Sequence, residues 1–406
     1  MRGLFHLYYF KSTSLTTLNT DQSTIPYWRL SGFYGFYYAS LGALVPYWGL
    51  YLKQLGYSAQ DIGFLMAIIM ATKIISPNIW GWIGDHTGQR MNIVRLGSFL
   101  SALCFAGVYL STEYGWLIVV MVCFSFFWNA ALPQFEATTF NYLHEQTHRY
   151  SSVRLWGSVG FILSVVVLGP VLDHWNASVL PHVLLALFIG IWISSLCVRD
   201  RGSSTYHATH ESLIKVLKTP AVFALLTVCL LMQMSHGPYY TFYTLYMEDH
   251  GYSRTVIGQL WALGVFAEVL IFLLLPRLVP RLGLRLLLLS SLVLACLRWV
   301  LIGHFVQTLW IMVLAQVLHA ATFGVYHASA IQLIHRYFKG RHQGKGQALY
   351  SSFSFGVGGA MGSFYSGLTW DSLGPQVTFS IAAVIAFIAL VVGWVWIRPA
   401  PVRDVI

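Results

Sequence analysis

Charge is what this chain lacks most. Only 9% of its 406 residues are Asp, Glu, Lys or Arg, where an ordinary soluble domain carries about 25%. So few charges cannot cover a water-facing surface. With 57% hydrophobic residues and a mean hydropathy of +0.64, the composition specifies a polytopic membrane protein. Cysteine is scarce as well. The five present (Cys104, Cys123, Cys197, Cys229 and Cys296) lie in apolar runs and form no CxxC pair. They read as small hydrophobes rather than as a disulfide or metal framework, and neither a cofactor nor a metal is expected. The first residues have too short an apolar run for a signal peptide and no small-residue cleavage site. Residues 1–26 therefore read as a polar cytoplasmic tail before the first membrane helix, or as the product of a start codon placed too early. What abounds is aromatic: 16% of the chain, with Trp and Tyr suited to the membrane interface.

A spanning helix needs about 20 mostly apolar residues. Twelve such windows can be marked, at 27–52, 62–84, 93–111, 116–143, 153–172, 180–198, 220–247, 256–276, 284–303, 308–334, 347–368 and 376–397. The expected fold is an all-α membrane protein of twelve transmembrane helices in two six-helix bundles. Residues 27–198 form the first bundle and 220–398 the second. A polar cytoplasmic linker (199–219) joins them, and a short cytoplasmic tail (399–406) follows. Thr219 and Pro220 suit the N-cap and first turn of the seventh helix. Alternate loops and both termini collect 20 of the 24 Lys and Arg residues, while the opposite loops hold only Lys53 and Arg254. By the positive-inside rule both termini are cytoplasmic. The net charge of +10 is thus a topology signal that needs no nucleic-acid partner.

The chain also repeats itself. "GYSAQDIG" at 56–63 returns as "GYSRTVIG" at 251–258, and over 50–67 against 245–262 nine of eighteen positions are identical. Gly56 and Gly251 suit the left-handed stop of one helix, and Ser58 and Ser253 the N-cap of the next. Asp61 completes a capping box in the first copy. A common loop turn accounts for these local letters, but not for matches that continue into the helices. The offset of 195 instead pairs helices 1 and 2 with helices 7 and 8, a parallel repeat that resembles the major facilitator transporters. The same offset sets Lys73 against Glu268.

A second motif carries the same resemblance. "GWIGDHTGQR" at 81–90 is similar to the major facilitator loop between helices 2 and 3, with Gly81, Gly84, Asp85, Gly88 and Arg90 matching and His86 and Gln89 replacing basic residues. The resemblance implies an inward gate in which Asp85 meets a helix N-terminus and nearby cations; the plain alternative is an ordinary loop cap. The offset copy, "PRLVPRLGLR" at 276–285, keeps Gly283 and Arg285 but has Pro280 for the acid. One rival signature is "HEQTH" at 144–148, which has the HExxH spacing of a zinc protease. It falls in a short loop with no third ligand downstream. No Walker-A spacing occurs, since "GKGQ" at 344–347 does not reproduce it, so ATP-driven transport is not expected.

Ionisable groups inside apolar helices are costly in lipid and should face a cavity or a partner. They are Lys73, Glu136, Arg154, His236, Glu268, Arg298, His319 and His327. Each either ties helices together or serves a solute path; Glu268, Arg298 and His319 are assigned to the path, while His236 and His327 suit both roles equally. Glu136 followed by "RLWGSVGF" (154–161) resembles helices 4 and 5 of the oligosaccharide:proton symporter group, whose lactose permease binds substrate through a Glu and an Arg at this separation. Phe161 stands where that protein stacks a Trp on its sugar. Arg298 and His319 match its coupling positions, but Thr322 replaces the acid one turn after the histidine, and Glu268 is displaced by about one turn. From 27 to 398 the chain is more similar to the neighbouring phenylpropionate permease type, through "VRLWGSV", "GQLWALGVFAEVLIF", "LRW" and "VLHAATFGVYHAS".

That resemblance implies proton-linked uptake of a small organic solute across a bacterial inner membrane, with an aromatic carboxylate as the leading substrate and a sugar or nucleoside as the alternative. A membrane zinc protease and a non-transporting sensor are lesser readings. Lys73 and Arg298 are expected to hold a carboxylate, with Glu136, Arg154, Phe161, His236 and Tyr239 completing the substrate site and Tyr37, Tyr38 and Tyr240 flanking a ring. Glu268 is the expected proton carrier, with His319 and His327 assisting and Glu136 second. Its partners are thus a small solute, protons and the lipid bilayer. The small-residue run in helix 11 permits close packing within the bundle as readily as dimerisation.

Overall fold

The computed structural model describes residues 25–144, 146–200, 216–339 and 342–397. The tail and linker expectations for 1–24, 201–215 and 398–406, and the glutamate of the HEQTH signature, lie outside these residues. Among the described residues there is no strand. Each of the twelve expected windows coincides with helix, labelled here α1 (Tyr27–Gln54), α2 (Ala59–Thr87), α3 (Arg90–Phe105), α4 (Tyr114–Leu143), α5 (Tyr150–Trp175), α6 (Leu180–Leu196), α7 (Pro220–Asp249), α8 (254–282), α9 (284–304), α10 (Leu309–Tyr337), α11 (343–373) and α12 (Pro375–Trp396).

Among the described residues nine helices are long and apolar enough to cross a membrane, and one of them is the continuous stretch Arg254–His304, which turns at Gly283 and so holds both α8 and α9. The windows in α1 and α11 are helical but less apolar. Their Tyr, Gly and Ser residues lower the hydropathy, and α1 is largely buried against α5 and α6, so it has little face to offer lipid. The outer helices instead present large apolar side chains such as Phe223, Leu273 and Trp310, each more than 60% exposed. In lipid such a surface costs nothing, whereas in water it would drive aggregation.

The doubled phrase folds as two copies of one turn. Gly56 and Gly251 have φ of 89° and 83°. Ser58 caps α2 and forms a reciprocal capping box with Asp61, while Ser253 caps α8 through the N–H of Val256. A second pair follows at the same offset. Gly88 (φ 69°) stops α2, and Gly283 (φ 74°) breaks α8 from α9. Thr219 is the N-cap of α7 with Pro220 in the first turn, but its side chain makes no capping bond.

Helices α1–α6 and α7–α12 form two bundles that meet along α5 with α8 and α2 with α11. Within the first, buried amides and hydroxyls tie helices that the hydrophobic effect alone cannot hold together in lipid. Asn129 of α4 donates to the Ile69 carbonyl (3.2 Å) and to Thr72 (2.9 Å) of α2. Between the bundles, polar contacts gather at the end carrying both GYS turns. Toward the opposite, basic end the described ion pair and carbonyl contacts stay within each bundle, as in Asp85–Arg90 and Arg285 with the Ile397 carbonyl. Among the described residues a single side-chain bond crosses there, from Asn78 of α2 to Ser352 of α11 at 3.4 Å.

Three helices of the second bundle are irregular at mid-height. α7 breaks at His236, between Pro220–Ser235 and Gly237–Asp249. α10 and α11 each contain a π-helical turn, Ala320–Val325 and Ser352–Gly358. Such turns commonly mark functional sites. The capping box sets a first test: Ser58→Ala is expected to lower stability in detergent by about 1 kcal/mol. Ser253→Ala, with no acid to reciprocate, should cost less in the same thermal-unfolding assay.

Candidate functional site

Two clusters of charged and aromatic side chains stand inside the helices, one in each bundle, the first toward the basic end. In the first, α1 supplies Tyr34, Tyr37 and Tyr38, α4 supplies Glu136, and α5 supplies Tyr150 and Arg154. The Arg154 guanidinium lies 3.8 Å from the Tyr38 ring centre and 5.7 Å from that of Tyr34. Tyr150 donates to Glu136 Oε1 at 3.1 Å. Arg154 and Glu136 form no ion pair within 4.0 Å, so the arginine is held by ring faces, whose quadrupoles attract a cation without neutralising it. A stacked core fixes this wall, with Phe33 on Phe135 (3.7 Å between centres) and Tyr37 on Trp128 (5.0 Å).

The second cluster is built around Arg298 of α9, which is wholly buried. Its Nε donates to the Ala315 carbonyl (2.8 Å), and Nη1 faces Thr322 Oγ1 (3.2 Å) and His319 Nδ1 (3.1 Å). The guanidinium also lies over the Tyr239 ring, 4.1 Å from its centre. Tyr239 in turn donates to Gln316 Oε1 at 2.8 Å. Every one of these partners is neutral. Because an arginine can only donate, Nδ1 of His319 must accept, which places the proton of the neutral imidazole on Nε2. That nitrogen faces Glu268 Oε2 at 3.8 Å.

The remaining expected residues fall around these two clusters. Lys73 shares a face of α2 with the buried Ile62, Met66 and Ile69, which directs it into the bundle. It is only partly exposed and makes no hydrogen bond or ion pair among the described residues. His236, wholly buried at the break in α7, donates from Nδ1 to the Met232 carbonyl (2.8 Å) and stacks on Tyr240. Phe161 lies across the α5–α8 seam from Trp261, ring centres 6.4 Å apart. His327 sits farther along α10 toward the basic end, bonded to Tyr350 Oη at 2.8 Å. Its ring is parallel to Phe323, which is parallel to His319. Although they occupy offset-equivalent positions, Lys73 and Glu268 are not joined by any ion pair.

At the basic end, Asp85 pairs with Arg90 at 2.6 Å, and Arg90 also donates to Gln134 of α4 at 3.0 Å. Gly84 lets α2 lie on α4, since a Cβ there would stand 2.7 Å from Gln134 Oε1. Gly81 faces the same glutamine, and Gly88 is the left-handed stop. The helix N-terminus met by an acid here is that of α3, and the acid is Asp200, which accepts from the Met91 N–H at 3.2 Å. The HEQTH stretch is not one helix face. His144 ends α4 with φ 43°, and His148 lies in the separate 3₁₀ turn Thr147–Arg149. Among the described residues no three His, Cys, Asp or Glu side chains gather as a metal site.

Sequence reasoning overlooked Tyr150, Gln316 and Trp261. The signals were weak: Tyr150 precedes Arg154 by one turn, and Gln316 precedes His319 by three residues, but only packing aims them inward.

Two bundles of apolar helices with charged walls facing each other define a multi-pass membrane transporter of small solutes. The chain belongs to the MFS_1 like family, whose model matches residues 27–381. It is 28% identical to the probable 3-phenylpropionic acid transporter of Escherichia coli (strain K12) over 372 residues, covering 89% of this chain and 96% of that one. It is 26% identical to the maltose permease of Geobacillus stearothermophilus, covering 88% and 92%. Among solved structures, the nucleoside transporter NupG superposes with a TM-score of 0.76 at 14% identity, covering 92% of this chain and 99% of that one. At that identity the likeness is one of fold.

The arrangement around Arg298 is itself testable. Arg298→Lys keeps the charge but loses the planar set of donors that reaches Ala315, His319 and Thr322 together. Thermal unfolding in detergent is expected to show a loss of about 2 kcal/mol, because buried acceptors are left unpaired.

Proposed function

We propose that the protein is a proton symporter for an aromatic carboxylate of the phenylpropionate kind, working across a bacterial inner membrane with the GYS end outside and both termini inside. The proposed mobile units are residues 27–198 and 220–398, joined by 199–219. One observation carries the substrate reading. Lys73, Arg154 and Arg298 are three inward cations, and none has a carboxylate within 4.0 Å. Two acids, Glu136 and Glu268, share the same space. With both ionised the interior carries one excess positive charge, and protonation of either adds a second, which an anionic solute relieves. Tyr38, Tyr239, Tyr240 and Phe161 offer ring faces to the rest of such a molecule, and His236 backs Tyr240.

Glu268 is the proposed proton carrier. His319 has its Nδ1 committed to Arg298, so its part is to present Nε2–H toward Glu268 and steady the carboxylate once the proton leaves. His327, bonded to Tyr350, is proposed as the next proton station toward the basic end. Asp85 and Arg90, with Gly81, Gly84 and Gly88 shaping their turn, are proposed as the gate on that side.

A sugar or nucleoside is the second reading. The maltose permease relative favours it, as do the neutral hydrogen-bonding groups of Gln316, Thr322 and Tyr150.

A binding screen of aromatic acids, sugars and nucleosides on the purified protein separates these readings. Aromatic carboxylates are expected to stabilise it against heat, and stabilisation by sugars alone would overturn the first. Saturable binding without vesicle uptake would mark a sensor instead. With a ligand in hand, Glu268→Gln is expected to abolish accumulation driven by a proton gradient while leaving exchange of internal for external solute. Accumulation that persists, or that ignores an uncoupler, removes Glu268 or the proton link. Reporter fusions within 199–219 check the orientation: cytoplasmic reporters should be active and periplasmic ones silent.

A further inference from the structure

The two GYS turns are each met by a second doubled element, contributed from the other bundle. Helix α5 ends in "GPVLD" (169–173) and α11 in "GLTWD" (367–371), so each carries a glycine and, one helical turn later, an aspartate on the same face. The α5 copy lies on the first turn of α8. Asp173 accepts from the N–H groups of Arg254 (2.8 Å) and Thr255 (2.9 Å) and from Thr255 Oγ1 (2.6 Å). A Cβ on Gly169 would stand 2.7 Å from the Arg254 carbonyl oxygen and 2.8 Å from Thr255 Cα. The α11 copy lies on the first turn of α2. Asp371 accepts from the Ala59 N–H at 3.1 Å, and a Cβ on Gly367 would stand 2.8 Å from the Ala59 oxygen and 2.9 Å from Gly63 Cα.

The contacts are crosswise: α5 of the first bundle holds α8 of the second, and α11 of the second holds α2 of the first. Between the two seams Lys53 of α1 bridges to Asp249 of α7 at 2.5 Å. It borders a cavity of about 460 Å³ lined by Leu50, Lys53, Gln54, Asn176, Glu248 and Arg254. Recognition here is mainly of backbone N–H groups, with the Thr255 hydroxyl adding one side-chain bond in the α5 copy. The residues met are Arg254 and Thr255 in one copy and Ala59 in the other, chemically unlike, whereas the glycine and the aspartate recur.

We propose that these two Gly-x-x-x-Asp faces form a paired clasp that shuts the GYS end of the transporter, and that Asp173 and Asp371 are positioning residues whose contacts break and re-form in each transport cycle. The first N–H groups of a helix have no partner within it, and a negative charge is favoured there. Each aspartate therefore gains a charge-assisted bond by docking. At the rim, carboxylate and N–H can both return to water, so the clasp biases a two-state equilibrium without locking it. Asp173 makes three such bonds and Asp371 one, so the α5–α8 side should hold harder.

The test uses the purified full-length protein with its native cysteines replaced and needs no substrate and no assumption about sidedness. Thr241→Cys places a reporter just beneath the seam, where the residue is 5% exposed and its carbonyl would lie 3.3 Å from a Cβ on Gly49 of α1. Asp173→Ala is expected to raise the rate of labelling by a polar maleimide about tenfold, the scale of a lost charge-assisted contact. Asp371→Ala should raise it less, about threefold for its single bond. A second reporter, Ser291→Cys, wholly buried in α9 away from the seam, should not change. Equal labelling in both alanine variants and the parent, or equal acceleration at both reporters, would overturn the clasp. Should an alanine variant fail to fold, the pair Asp173→Cys/Thr255→Cys is expected to oxidise in native membranes and hold the two bundles together after proteolysis between them. Absence of that cross-link would equally overturn it.

Discussion

The second bundle depends on how it keeps one charge, Arg298, out of water with no carboxylate to meet it. The arginine is wholly buried. An unpaired cation in that setting is tolerable only if its donors are satisfied and its charge is spread. Ala315, Thr322 and His319 take the hydrogen bonds, and Tyr239 takes the ring-face contact. That demand draws α9, α10 and α7 to one point. It also fixes the histidine tautomer, and through it the direction in which His319 faces Glu268. The replacement of an acid by Thr322, visible in the sequence as a departure from a related group, thus leaves a neutral partner where a charged one would have quenched the arginine.

The two bundles share a repeat in sequence but not in regularity. α1, α2, α4 and α5 run as uninterrupted helices, although each contains a proline. In the second bundle α7 breaks at His236, and α10 and α11 carry π turns. These irregularities lie where His236, His319 and Tyr350 approach the interior, whereas Glu268 and Arg298 enter it from regular helix. The first bundle meets its polar groups differently, by bonding amides and hydroxyls between regular helices, as Asn129 does.

Much of the fold was legible because it rests on local rules. The composition specified lipid, each window coincided with helix, and Gly56, Gly251, Ser58 and Asp61 behaved as their turn and cap chemistry requires. Other letters misled or stayed mute. Thr219 sits at an N-cap without using its hydroxyl. HEQTH has the spacing of a metal-binding helix, but the chain leaves helical geometry at His144. Asp85 has the letters of a gate, and in this state its partner is Arg90, its near neighbour. Meanwhile Asp200, distant in sequence, caps α3. Tyr150 and Gln316 could not be singled out, since a tyrosine or glutamine becomes a site residue only by what lies opposite.

Sequence by itself determined what depends on neighbours along the chain: membrane character, helix positions, the starts and stops of α2 and α8, and the inventory of charges that lipid forbids. Tertiary structure decided the pairing of those groups. It placed Arg154 on tyrosine rings rather than on Glu136, left Lys73 and Glu268 unjoined despite their equivalent places, and set Asp173 and Asp371 on helices of the opposite bundle. The physical reason is one of range. Caps, turns and hydropathy act over a few residues, whereas the partner of a buried charge is chosen by packing between helices far apart in the chain.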